Sequence, residues 1–154
     1  MSETELTGGC QCGAIRFRCT DGERDAYYCH CRMCQRAMGH VAAAFVNVPK
    51  ASVTWEGAER SYYMSSPFGR RGFCGACGTP LSFDYPDSPK TDLTVGALDD
   101  PGAVRLAHHF GTESRWPGWT GGHDLPEMRS EDYAPLQARW AKAEGDKPDD
   151  ESAA

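Results

Sequence analysis

A mainly β fold is what this sequence predicts, with several antiparallel sheets joined at knots of cysteine. Three observations predict it. Apolar residues recur with a period of two in short segments such as Ala14–Cys19, where Ile15, Phe17 and Cys19 share one phase. Gly, Pro and Asp punctuate the chain so often that it accommodates about nine short strands and one or two brief helices. Seven of the eight cysteines gather in three groups, Cys10/Cys12, Cys29/Cys31/Cys34 and Cys74/Cys77, with ordinary sequence between them. At 154 residues the chain buries a core as a single domain. That domain is expected over residues 1–143, with 144–154 (EGDKPDDESAA) a solvated, disordered acidic tail.

Taken in order, Gly8-Gly9-Cys10-Gln11-Cys12-Gly13 suits a tight turn in which the backbone folds round an ion. Ala14–Cys19 is the first clear strand, and Asp21-Gly22 a turn. Ala26-Tyr27-Tyr28 is a strand entering the central group. Gln35–Met38 makes one helical turn ended by Gly39. Val41–Val48 is a buried strand that Pro49 breaks. Ser52–Glu56 and Arg60–Ser65 are expected to form a hairpin around Gly57-Ala58. Arg70–Phe73 leads into Cys74-Gly75-Ala76-Cys77-Gly78, which has knuckle spacing with glycines where the turn needs them. Leu81–Phe83, Asp92–Leu98 and Val104–Phe110 are further strands, and Asp99-Asp100-Pro101-Gly102 is a turn. Thr112–Pro126, rich in Gly, Pro and Trp, is a long loop of the kind that carries function. Pro135–Ala143 is a short helix with Leu136 and Trp140 on one face.

Composition narrows the function classes. The net charge of −6 supplies no global basic field to hold phosphates, which argues against a general nucleic-acid binder. No apolar run reaches the ~20 residues that span a bilayer. The acidic start Met1-Ser2-Glu3-Thr4-Glu5 has no signal-peptide core. A cytoplasmic, reducing setting is therefore expected, where clustered cysteines act as metal ligands rather than disulfides.

Thiolates are soft donors, and zinc takes four of them in a tetrahedron. If the two outer pairs meet, Cys10, Cys12, Cys74 and Cys77 close a four-sulfur structural site. The central group then offers three sulfurs, Cys29, Cys31 and Cys34, and keeps a fourth position for water or substrate, as catalytic zinc sites do. Three thiolates leave the ion poor at acidifying water but able to take up an incoming thiol, so thiol-plus-aldehyde chemistry fits best. Other residues are read more plainly. His30, flanked by two ligands, points away from the metal. His40 is a surface residue ahead of a ligand or an acid–base group. Cys19 is a small buried residue. His108 and His109, adjacent in a strand, face opposite sides. Arg70 and Arg71 either bind a substrate carboxylate or lie on a solvated strand edge. Trp116 and Trp119 either wall a pocket or pack a core.

The motifs Gly8-Gly9-Cys10-Gln11-Cys12-Gly13, Cys29-His30-Cys31-x-x-Cys34 with Gly39, and Phe73-Cys74-Gly75-x-Cys77-Gly78 resemble the glutathione-dependent formaldehyde-activating enzyme family, which includes centromere protein V-like proteins. His109-Phe110, Trp116 and Leu125-Pro126 resemble its C-terminal segment, so the likeness spans roughly residues 6–128. The resemblance implies coiled sheets of the β-tent type and two zinc ions per chain. One is structural on Cys10, Cys12, Cys74 and Cys77; the other is catalytic on Cys29, Cys31 and Cys34. It also implies a carbon–sulfur lyase that joins glutathione to formaldehyde. Two functions are thereby expected in order: an enzyme acting on a small thiol and aldehyde, then a non-catalytic zinc module that binds protein or nucleic acid.

Overall fold

The computed structural model describes residues 5–21, 24–119 and 124–143. The expected tail over 144–154 and Gly22 of the expected Asp21-Gly22 turn lie outside them. The chain divides into two compact units, Met1–Trp116 and Pro117–Ala154.

The first unit holds two sheets. The smaller has the order β1 (Leu6–Gly9), β2 (Ile15–Cys19), β5 (Val53–Gly57), all antiparallel. The larger has seven strands in the order β10 (Arg105–Phe110), β3 (Asp25–Cys29), β4 (Ala43–Pro49), β9 (Lys90–Thr94), β8 (Pro80–Asp84), β7 (Arg70–Phe73), β6 (Ser61–Met64). The mainly β class thus stands, with ten strands and two α-helices among the described residues. One pairing departs from the antiparallel expectation: β10 runs parallel to β3. The first helix, α1 (Arg32–Met38), is longer than the turn expected, because it starts inside the central cysteine group.

The expected hairpin over 52–65 does not form. β5 pairs with β2 in the small sheet, and β6 pairs with β7 in the large one. After Gly57, the Ala58 N–H donates to Ala14 O at 2.8 Å, which fastens this end of β5 to the start of β2. The strand expected over Val41–Val48 runs as β4 from Ala43 and ends at Pro49 as expected, where a strand end tolerates the missing N–H. The strand expected over Asp92–Leu98 ends at Thr94 and gives way to a 3-10 turn over Val95–Ala97. Asp100 caps the following turn by accepting from Gly102 N at 2.9 Å.

The alternation of β2 does what its sequence implies: Ile15, Phe17 and Cys19 are buried and Arg16 and Arg18 exposed. They pack with Leu6, Val46, Val48, Leu81, Leu93 and Leu98 in the main core between the sheets. Burying a side chain of this size contributes about 1.5–3 kcal/mol. Register divides the large sheet into two faces. Val46 lies opposite Leu93 on the core face. Phe45 opposite Thr94, Phe83 opposite Asp92, and Arg71 opposite Phe83 lie on the other. A second apolar cluster sits there: Cys29, Cys34, Ala43 and Phe45, with Tyr27, Met38 and Phe83 packed against it.

The second unit contains α2 (Ala134–Ala143), with Pro135 in its first turn and Leu136, Gln137 and Trp140 its half-buried positions.

Candidate metal centre

The outer cysteine pairs sit in matching turns. Cys10 and Cys12 lie between β1 and β2; Cys74 and Cys77 lie between β7 and β8. Each turn closes on a glycine at φ +81°, Gly13 and Gly78, whose N–H donates to Cys10 O (3.1 Å) and Cys74 O (2.7 Å) respectively. That conformation is open to glycine at little cost. The Gln11 N–H donates to Thr79 Oγ1 at 3.0 Å across the two turns. The four sulfurs converge, with all ligand atoms within 4.8 Å of one another. Cys10 and Cys12 Sγ are 3.6 Å apart, and Cys12 and Cys74 Sγ 3.8 Å. Donors at about 2.3 Å from a tetrahedral zinc are separated by about 3.8 Å, so the spacing fits that ion. A disulfide needs about 2.05 Å, and all eight cysteines are free thiols. The Thr79 hydroxyl, 3.1 Å from Cys77 Sγ, holds that thiol down at about 6.

The central cluster is built differently. Cys29 is the last residue of β3, Cys31 is the N-cap of α1, and Cys34 lies in its first turn. An N-cap side chain faces the third helical N–H, and here Cys34 N–H donates to Cys31 Sγ at 3.3 Å. A strand end and a helix start thereby bring three sulfurs within 4.8 Å of one another, as a group able to hold a metal ion. Neither His30 nor any carboxylate joins them among the described residues. Cys29 and Cys34 are buried and Cys31 half-buried.

Charge in this cluster settles on Cys34. Its thiol is lowered to about 5, first by the Cys29 thiol donating to it and next by the Arg71 guanidinium; Cys29 is pushed up correspondingly. Arg71 is 6% exposed, and its Nη2 donates to Cys34 Sγ at 3.4 Å. Its guanidinium carbon stands 4.7 Å above the Phe83 ring. Arg70, one residue earlier on β7, faces the other way and is engaged with Asp84 at 3.0–3.1 Å. Period two thus separates two arginines that look equivalent in the sequence.

His30 is buried, as its flanking cysteines suggest, and its Nε2 lies 2.9 Å from His109 Nδ1. Burial holds His30 below the ordinary imidazole value, so it is neutral at pH 7. His108 stacks on Tyr27 at 5.1 Å, so the two adjacent histidines do face opposite sides. His40 is exposed and turned back to Ala42, whose N–H donates to its Nδ1 at 3.3 Å. Cys19 is fully buried in the main core, its Sγ 3.3 Å from Ser52 Oγ. Trp116 and Trp119 are 54% and 73% exposed, so neither packs a core.

Three residues around the cluster were not singled out by the sequence. Gln35 is buried in α1 and donates to His30 O (2.7 Å) and Ser114 O (3.0 Å), while its Oε1 accepts from Arg32 and from Trp116 Nε1. It stitches the cysteine group to the segment after β10. Asp92 is buried behind Tyr27, accepts from Asn47 Nδ2 at 3.0 Å, and is pushed up to about 6, chiefly by burial. Gly111 lies against the cluster at φ +66°, where a Cβ would stand 2.9 Å from Cys31 N.

Fold and site together define a class: small β proteins with two thiol centres, one of four sulfurs where the two sheets meet and one of three sulfurs at a strand end and helix start of the larger sheet. The chain belongs to the GFA family, described as glutathione-dependent formaldehyde-activating enzyme, whose pattern it matches over residues 5–114. A Rhodobacter sphaeroides protein of known crystal structure is similar in fold, with a TM-score of 0.53 at 20% identity, covering 67% of this chain and 98% of that one. No curated protein matches the chain.

Proposed function

We propose that the protein is a carbon–sulfur lyase-type enzyme that joins a thiol of the glutathione kind to formaldehyde or another small aldehyde. The observation that carries this reading is the unequal pair of thiol centres, four donors in one and three in the other. Cys10, Cys12, Cys74 and Cys77 would hold a structural zinc, and Cys29, Cys31 and Cys34 a catalytic one; the two sheets joined at the four-sulfur centre would then form the β-tent arrangement. A zinc held by those three thiolates would supply Lewis acidity and an open position for a thiol substrate.

The chain's own residues set up the rest. Arg71 places positive charge against Cys34 and offsets the negative charge gathered in the cluster. The helix start at Cys31 adds a backbone N–H to the same end. Phe45, Phe83, Tyr27 and Met38 wall this face with apolar surface, which strengthens those interactions by excluding water. Holding thiol and carbonyl together supplies much of the acceleration. The proton lost by the thiol returns to the new hydroxyl through water. Eight free thiols suit a reducing compartment, the cytoplasm.

The test pairs two substitutions with zinc content and turnover of formaldehyde with glutathione, measured above the uncatalysed rate. Cys31→Ser is expected to stay folded, lose about one of two zinc ions and lose activity. Cys74→Ser is expected to unfold, since a structural zinc contributes on the order of 10 kcal/mol, comparable to a domain's whole stability. Wild-type protein that binds two zinc ions yet adds nothing to the uncatalysed rate with any thiol and aldehyde would refute the reading.

A further inference from the structure

A cavity of about 250 Å³ lies on the same face of the large sheet as the three-thiol cluster. Ala37, Met38, Phe45, Tyr63 and Phe73 give it an apolar lining, and Arg71 is the one charged side chain in its wall. Three of these residues tie the cavity to the cluster. Phe45 and Met38 pack with Cys29 and Cys34, and Arg71 donates to Cys34 Sγ.

Formaldehyde has no use for such a space, because it carries two heavy atoms and no apolar substituent. An apolar cavity of about 150 Å³ is already enough to take up benzene. Arg71 is thus the charged donor that lies both in the wall of the cavity and against Cys34 Sγ.

We propose that this cavity receives the substituent of the substrate aldehyde, so that the favoured substrate class is an aldehyde with a short alkyl or benzene-sized body, its carbonyl oxygen accepting from Arg71. The proposal rests on the thiol–aldehyde reading above. In the addition, a sulfur lone pair forms the S–C bond and the C=O π pair moves to oxygen. Arg71 donates a hydrogen bond to that oxygen without giving up its proton. The thiol's proton passes to water, and water protonates the oxygen. The product is the hemithioacetal, and no oxidant or reductant takes part.

The experiment uses the zinc-loaded full chain with glutathione and a series of formaldehyde, propanal, pentanal and benzaldehyde, each corrected for the uncatalysed rate. Selectivity, as kcat/KM, is expected to rise by about fourfold per methylene until the cavity is full. Ala37→Leu, which fills the cavity from α1, is expected to lower the benzaldehyde-to-formaldehyde ratio by tenfold or more. Toluene, which cannot react, is expected to raise the Tm of the wild type and not of Ala37→Leu. Arg71→Lys keeps the charge and removes the guanidinium's fork of donors, and is expected to lower kcat on benzaldehyde while toluene still binds. Formaldehyde turned over with no rise along the series and no toluene binding overturns the proposal and leaves the thiol–aldehyde reading standing. Toluene bound by the wild type but not by Ala37→Leu, with no aldehyde turned over, overturns that reading and the aldehyde assignment with it.

Discussion

Replacing Asp92 by Asn tests the electrostatics under the thiol cluster most directly. Asp92 is 8% exposed and accepts from Asn47 at 3.0 Å and from Tyr27. Burial nevertheless dominates and raises its carboxyl from 3.8 to about 6. The folded protein therefore keeps this proton to higher pH than the unfolded chain. Asp92 costs nothing below pH 4, costs progressively more as pH rises towards 6, and exacts the full amount above that. At 1.36 kcal/mol per pH unit the full amount is about 3 kcal/mol. Asn retains one acceptor oxygen, so the variant gives back about 1 kcal/mol of hydrogen bonding and nets about 2 kcal/mol of added stability at pH 8. The assay is urea unfolding of both proteins between pH 5 and pH 8, taking the difference between them so that the thiol centres cancel. About half the cost is in place at pH 5, so the advantage of Asp92→Asn should grow by roughly 1.5 kcal/mol across the range and level off above pH 7. A difference that does not change with pH, or a variant less stable than wild type at pH 8, would refute the argument.

Other sites give sharper single outcomes. Asp84 is held below its ordinary value because Arg70 and Lys50 (3.0 and 2.6 Å) outweigh its burial; its stabilisation is present above pH 4 and lost as pH falls further, and Asp84→Asn should cost about 2–3 kcal/mol in denaturant unfolding at pH 7. Gly111→Ala combines a left-handed backbone, about 1–2 kcal/mol, with a contact on Cys31 N, and should lower Tm and release zinc from the three-thiol site at a lower chelator concentration than wild type. Gln35→Leu strands His30 O and Ser114 O and should cost about 1–3 kcal/mol, read as a lower urea midpoint with an unchanged m-value.

Much of this site was legible because thiols in glycine-rich turns advertise themselves. The grouping of Cys10 and Cys12 with Cys74 and Cys77 follows from donor number, and the structure brings those four sulfurs together. The strand Ile15–Cys19 was legible because it is buried on one side only, which prints the pleat into the sequence. The hairpin over 52–65 was misread because two neighbouring strands flanking a Gly look the same whether they pair together or leave for different sheets. The parallel pairing of β10 with β3 rests on partners about eighty residues apart, for which alternation carries no signal. Gln35 and Asp92 escaped for a related reason, and Arg71 could not be told from its neighbour. A polar residue is read as exposed until the fold surrounds it, and nothing local distinguishes Arg71, against Cys34, from Arg70, against Asp84.

The pairing of the two outer turns also orders events in time. Cys10 and Cys12 leave the ribosome long before Cys74 and Cys77, so β1 and β2 must wait for much of the large sheet to be synthesised before their thiols find partners. During that wait a two-sulfur half-site is open to oxidation or to a stray soft metal. If that site takes the structural zinc proposed for it, the supply of zinc at the moment residue 77 emerges decides how much of each new chain is committed to the folded state. The yield of protein in the cell should track metal availability during translation, independently of how stable the finished molecule is.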